Sequence, residues 1–187
     1  ELKPSIIGGY NSANFDWHWI FERSKTLGID VKKVCKSLHP DHSFTRKDNI
    51  IKLANEVEDF LQTSIWGYNV IDIIHAVRRA QAINSNIKAA GLKYITKFIN
   101  KEAPDRVYIE HTDIGKLYRE KEKYWLNIKN GNYKKVGVDS KIDEVCQKRD
   151  DIYIKTTGDN LVERYLDDDL EETLAVDKEF NQASFLL

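Results

Sequence analysis

Methionine is missing altogether from this chain of 187 residues, which opens on Glu1 and closes on Phe185-Leu186-Leu187. Both ends read as cut, so the sequence is expected to be a piece of a longer protein. Cysteine is nearly as scarce. Cys35 and Cys146 lie too far apart in sequence to suggest a disulfide framework, and a reducing compartment is the default. No apolar run approaches the roughly 18 residues that a membrane helix needs, and the first residues do not read as a signal peptide. Neither sign of charge dominates, since 29 Lys and Arg face 30 Asp and Glu. That balance excludes a global basic field, but a local patch can still hold phosphate. Repeats and low-complexity linkers are also missing. What remains is ordinary soluble composition, long enough for one domain over residues 1–187 with a sizeable core.

The stretch that organises the chain is Ile6-Ile7-Gly8-Gly9-Tyr10-Asn11-Ser12-Ala13-Asn14-Phe15-Asp16-Trp17. It predicts a short apolar strand, a polar turn, and a helix from Phe15 or Asp16 to about Gly28. Ser12 and Asn14 are candidate N-caps for the amides that a first helical turn leaves free. A carboxylate such as Asp16, carried from a strand end onto a first helical turn, faces the crevice where α/β sheets place their chemistry. The competing reading is that Asp16 merely complements the helix dipole.

Further along, a glycine stop at Gly28 and a second helix over 29–38 are expected. Cys35, His39 and His42 have a spacing that raises zinc, but a structural site wants a second ligand pair and none follows. A polar surface turn is the preferred reading there. Residues 56–61 and 65–71 look like β-structure, the second piece feeding a helix at Asp72. Asp72 either caps that helix or joins an acidic cluster, and capping is preferred. The span 72–99 reads as helical, with Ile73, Val77, Ala80 and Ile83 or Asn84 on one stripe and a break at Gly91. Arg78 and Arg79 lie off the stripe and are candidates for gripping a DNA backbone, against a solvated face. Residues 106–109 predict a strand and 113–128 an amphipathic helix, with Leu117, Trp125 and Leu126 inward. Asn130-Gly131-Asn132 predicts a hairpin turn. The nearby Tyr124, Trp125, Lys129, Tyr133, Lys134 and Lys135 could stack bases and neutralise phosphates, although an ordinary hairpin is preferred.

The strand expected at 152–154 leads to Thr156-Thr157-Gly158-Asp159, which supplies caps for a long last helix. On it Val162, Tyr165, Asp169, Thr173 and Val176 share one stripe. An aspartate on a buried stripe is costly unless it is paired or bound to metal. Asp167 and Asp168 read as a solvated run.

Asn11-x3-Phe15-Asp16 after a Gly-Tyr strand end, with Tyr165-x3-Asp169 late in the chain on a helix, resembles the second and third motifs of the 3′–5′ exonuclease (proofreading) domain of family B DNA polymerases. That domain is a tyrosine-type member of the DnaQ-like, RNase H-fold superfamily. The run from His75 to Asn84 followed by Gly91-Leu92-Lys93-Tyr94-Ile95 is similar to the same position in phage-type members. The resemblance implies an α/β, helix-rich, RNase H-like exonuclease fold, truncated at its N-terminal strands. It implies removal of mispaired nucleotides from a single-stranded DNA 3′ end, using two Mg2+ or Mn2+ ions. In that scheme Asp169 binds a metal directly and Asp16 acts on the second, directly or through water. Tyr165 orients the attacking water and Asn11 helps place the strand. Asp16 and Asp169 are then expected within about 8 Å of one another.

The first motif of the family, Asp-x-Glu, has no counterpart before Asn11. The fragment is therefore expected to be crippled as a nuclease. The implied partners are DNA and the rest of a polymerase chain, in the cytoplasm of the host cell if phage-encoded, with no membrane. An unpaired sheet edge would favour self-association. The alternative class is a non-catalytic DNA-binding or scaffold module of a replication polymerase.

Overall fold

The computed structural model describes residues 6–38, 43–53, 56–120, 122–136, 145–148 and 151–180. The elements in chain order are β1 (Ile6–Gly9), α1 (Asp16–Thr26), α2 (Val31–Leu38), β2 (Phe44–Leu53), β3 (Glu56–Ile65), β4 (Asn69–Asp72) and α3 (Ile74–Ile83). They continue with α4 (Leu92–Phe98), α5 (His111–Glu120), β5 (Lys123–Asn127), β6 (Tyr133–Lys135), β7 (Val145–Lys148), β8 (Asp151–Thr157) and α6 (Gly158–Phe180). The class is α/β, as expected. Two compact units form, one from the chain up to Ile99 and from Thr173 onward, the other from Asn100–Glu172.

In the first unit β1 and β4 pair in parallel, with Ile6 opposite Asn69 and Gly9 opposite Asp72. Parallel neighbours need a crossover, and here the crossing chain holds α1, α2 and the long β2–β3 hairpin, in register from Phe44 opposite Ile65 to Leu53 opposite Glu56. Most of β2 was not expected as a strand. Its polar middle, Arg46-Lys47-Asp48-Asn49, hides the alternation, and only Phe44, Ile51 and Leu53 are buried. The buried Phe44 ring meets Trp17 and Phe21 of α1 at centroid distances of 5.9 and 4.9 Å. A second cluster in this unit joins Ile73, Val77, Ile87, Ile95 and Val176. The expected stripe of α3 is therefore inward at Ile73 and Val77. It fails at Ile83, which is 87% exposed because the helix ends there and Asn84 turns extended.

The second unit is an antiparallel sheet in the order β6-β5-β8-β7, with a core of Val107, Ile109, Leu117, Tyr124, Leu126, Leu161, Val162 and Tyr165. The helix expected over 113–128 stops at Glu120, and Lys123–Asn127 is instead the strand between β6 and β8. Tyr124 to Asn127 are buried in succession, on both faces of the strand, and so lose the alternation that would have marked them. Their burial also takes Tyr124 and Trp125 away from base stacking. The hairpin turn at Asn130-Gly131-Asn132 forms between β5 and β6 as expected. Gly131 has φ +68°, and any Cβ there would collide with the Arg106 carbonyl. The strand expected at 106–109 is not assigned, although Arg106, Val107 and Ile109 are buried. Val107 N–H donates to Asp168 Oδ2 at 3.0 Å, so a helix side chain stands where a neighbouring strand would.

Candidate active site

The turn between β1 and α1 carries the Asn11-x3-Phe15-Asp16 stretch. Asn11 takes a left-handed φ of 56°, which asparagine tolerates better than most residues. Gly9 permits the tight approach, because a Cβ there would lie 2.6 Å from Ser12 Cβ. The expected caps are not used. The helix N-cap position is Phe15 and no side chain caps it, while Ser12 is buried. Instead the buried Asp72 carboxylate reaches the turn from the end of β4. Its Oδ1 accepts from Asn11 N–H at 2.7 Å and its Oδ2 from Ala13 N–H at 2.9 Å. A longer bond from Ile74 N–H, 3.4 Å, reaches Oδ1. Asp72 is thus a cap, as preferred from sequence, and it caps the turn of another segment more closely than its own helix. On the far side Arg46 Nη2 of β2 donates to the Ala13 carbonyl at 3.1 Å, with its guanidinium 4.9 Å from the Phe21 ring centroid.

Asp16 follows on the first turn of α1, exposed at the surface. Partial loss of hydration raises its pKa, its own backbone amide opposes that rise, and the Asp72 charge adds to it. Asn11 Oδ1 accepts from Asn14 Nδ2 at 3.2 Å. A cleft of about 210 Å³ is lined by Ser12, Trp17, Phe60, Thr63, Asp72 and His75, among others. His75 is buried, with its ring edge-on to Phe60 at 4.8 Å. Burial lowers its pKa against the opposing pull of Asp72, with Arg79 adding to the fall. Arg78 forms an ion pair with Glu58 of β3, whereas Arg79 is exposed.

Tyr165 and Asp169 sit on α6 in the other unit. Tyr165 is buried, and its pKa is pushed up to about 12, first by burial, then by the Asp169 charge. Asp169 does not stand alone. It forms an ion pair with Arg106, which also pairs with the buried Glu172. The guanidinium lies 5.3 Å from the Tyr108 ring centroid and 5.9 Å from that of Tyr165. Arg106 is only 2% exposed. Burial works against its charge, but Asp169 and Glu172 outweigh that and its pKa is raised. Neither Arg106 nor Glu172 stood out in the sequence. The signal that could have found them is Glu172 three residues beyond Asp169, which extends the costly acidic stripe and demands a cation.

Whether the residues present fit divalent ions depends on their free oxygens. Among the described residues no group of three or more His, Cys, Asp or Glu side chains is placed to hold a metal. In the first unit both Asp72 oxygens already accept backbone amides, and in the second Asp169 already faces a guanidinium. The donor set within each unit therefore does not make a two-ion centre. His39 and His42 lie outside the described residues, and so does Glu1. No described helix is long and apolar enough to cross a membrane.

The strand end, the tight turn and the acidic helix start all lie in the first half of the chain, and that half carries a family match. Residues 1–95, just over half of the chain, match the family described as DNA polymerase family B, exonuclease domain, and the chain belongs to that family. It is also 27% identical over 85 residues to the DNA polymerase delta catalytic subunit of Arabidopsis thaliana, a stretch covering 46% of this chain and 8% of that protein. No solved structure matches. The family match contains Asn11, Asp16, Asp72, Arg78 and Arg79, and it ends before Tyr165 and Asp169.

Proposed function

We propose that residues 1–187 act as one 3′–5′ exonuclease domain of a phage-type family B DNA polymerase, proofreading by hydrolysis of the 3′-terminal phosphodiester of single-stranded DNA. The observation that carries this reading is the family match across the Asp72-held turn that presents Asp16. Asp16 and Asp169 are the acids assigned to Mg2+ or Mn2+. Tyr165 is assigned to water through its phenol. Asn11 and the pair Arg78 and Arg79 are assigned to the DNA strand, with Arg79 the more accessible of the two. Because the described donors within each unit fall short of a two-ion centre, the 187 residues by themselves should shorten DNA weakly or not at all.

The ion pair between Arg106 and Asp169 favours a second reading, a non-catalytic DNA-binding or scaffold module. The test uses the full encoded chain with a 5′-labelled single-stranded oligonucleotide and Mg2+ or Mn2+. A ladder shortened from the 3′ end supports the exonuclease. Retention of the oligonucleotide without shortening supports the module.

A further inference from the structure

The acid that the family match covers is carried on a turn with almost no capping of its own, and the residues that hold this turn come from elsewhere in the first unit. We propose that Asp72 is a positioning residue for Asp16, gripping the turn at Asn11 and Ala13 while Arg46 of the hairpin holds it from the other side. This deepens the exonuclease reading and rests on it for its catalytic consequence.

The geometry assigns each partner one task. Asp72 spends one carboxylate oxygen on the Asn11 amide at 2.7 Å and the other on the Ala13 amide at 2.9 Å. The Ala13 carbonyl, on the opposite side of the same residue, accepts from Arg46 Nη2 at 3.1 Å. Ala13 is thus held through both its N–H and its C=O, by an anion and a cation respectively. The turn then continues through Phe15 N–H to the Asn11 carbonyl, 3.1 Å, and Trp17 N–H to the Ser12 carbonyl, 2.9 Å. Asp16 lies between these two bonds, so its backbone position follows from that of residues 11–13. Bonds from amides to an ionised acceptor are among the stronger neutral-to-charged hydrogen bonds, and Asp72 is buried where they are little screened. Among the described residues Asp72 belongs to no group of three or more possible metal ligands, and both its oxygens are given to the turn. Asp72 therefore serves the site by placing Asp16, and a catalytic group held even about 1 Å off its position costs heavily in rate.

The test compares wild type, Asp72→Asn, Asp72→Glu and Arg46→Gln in two assays. In the 187-residue protein, amide hydrogen exchange at Asn11 and Ala13 and the carboxyl 13C shift of Asp16 are read by NMR. Asp72→Asn should speed exchange at both amides by about tenfold or more, leave Val77 and Ile95 protected, and move the Asp16 carboxyl signal. Arg46→Gln, which spares the buried carboxylate, should loosen Ala13 more than Asn11, and Asp72→Glu should not restore the wild-type pattern. In the full encoded chain, Asp72→Asn should lower kcat for 3′ shortening about tenfold or more with KM for DNA and half-saturating Mg2+ little changed. Unchanged exchange at Asn11 and Ala13 overturns the proposal, and so does a raised Mg2+ requirement with exchange intact, which would make Asp72 a ligand. If wild type shortens no DNA, the exonuclease reading fails, while the two NMR signals still decide whether Asp72 positions Asp16.

Discussion

Asp16 and Asp169, the two aspartates proposed for the site, have surroundings of opposite sign. Asp16 sits exposed in the first unit beside a second carboxylate, Asp72, and its pKa is raised. Asp169 sits in the second unit against a buried guanidinium that also balances Glu172. Motif spacing treats the two as equivalent acids, but the electrostatics do not. Beside Asp72, the Asp16 carboxylate gains from any cation that arrives. Asp169 already has one, and a metal ion there would compete with Arg106.

The largest test of that contrast is Arg106→Met. It leaves Glu172, 3% exposed at its side chain, without its cation. Removing one partner of a buried ion pair costs about 3–5 kcal/mol, and urea unfolding should show a loss of that size. A change below about 1 kcal/mol would mean that the ion-pair cluster is not formed in solution.

Asp169→Asn and Asp16→Asn then separate the two acids. Asp169→Asn weakens a charged bond to a buried arginine and should cost about 1.5–3 kcal/mol. Asp16→Asn removes a surface charge next to another of its own sign, so stability should stay within about 0.5 kcal/mol. Equal losses for both variants would erase the contrast.

The smallest effects are in pH. His75 has its pKa lowered from 6.5 in the first unit, so the unfolded chain takes up its proton first, and stability should fall as pH drops below 6.5. Tyr165 has its pKa raised from 10.0 to about 12 in the second unit, so its contribution is fully present below 10 and is lost as pH rises through about 12. Unfolding curves against pH should lose the acid-side slope in His75→Gln and flatten on the alkaline side in Tyr165→Phe.

The sequence was most readable where local pattern and fold agree. The strand at Ile6, the helix from Asp16, the helix ending at Leu38 and the long last helix were all legible, because period and glycine stop point the same way. It was least readable where a distant side chain does work that backbone usually does. Ser12 and Asn14 looked like caps, but Asp72, some sixty residues on in the chain, takes the amides of the turn. Residues 106–109 looked like a strand, but Asp168 accepts the Val107 amide. The site shows the same division. Asp16 and Tyr165 enter only through the resemblance to the exonuclease motifs and remain proposals, whereas Arg106 and Glu172 are joined by a long-range pairing that no motif encodes.

The most direct measurement of the central claim is 3′ shortening of a 5′-labelled single-stranded oligonucleotide by the full encoded chain. Wild type, Asp16→Ala and Asp169→Ala are compared with Mg2+ and with chelator. The account predicts a metal-dependent ladder in wild type and its loss in both variants, by about 10²-fold or more, since each removes an acid assigned to the same hydrolysis. A ladder as strong in either variant as in wild type, or none in wild type, would contradict it.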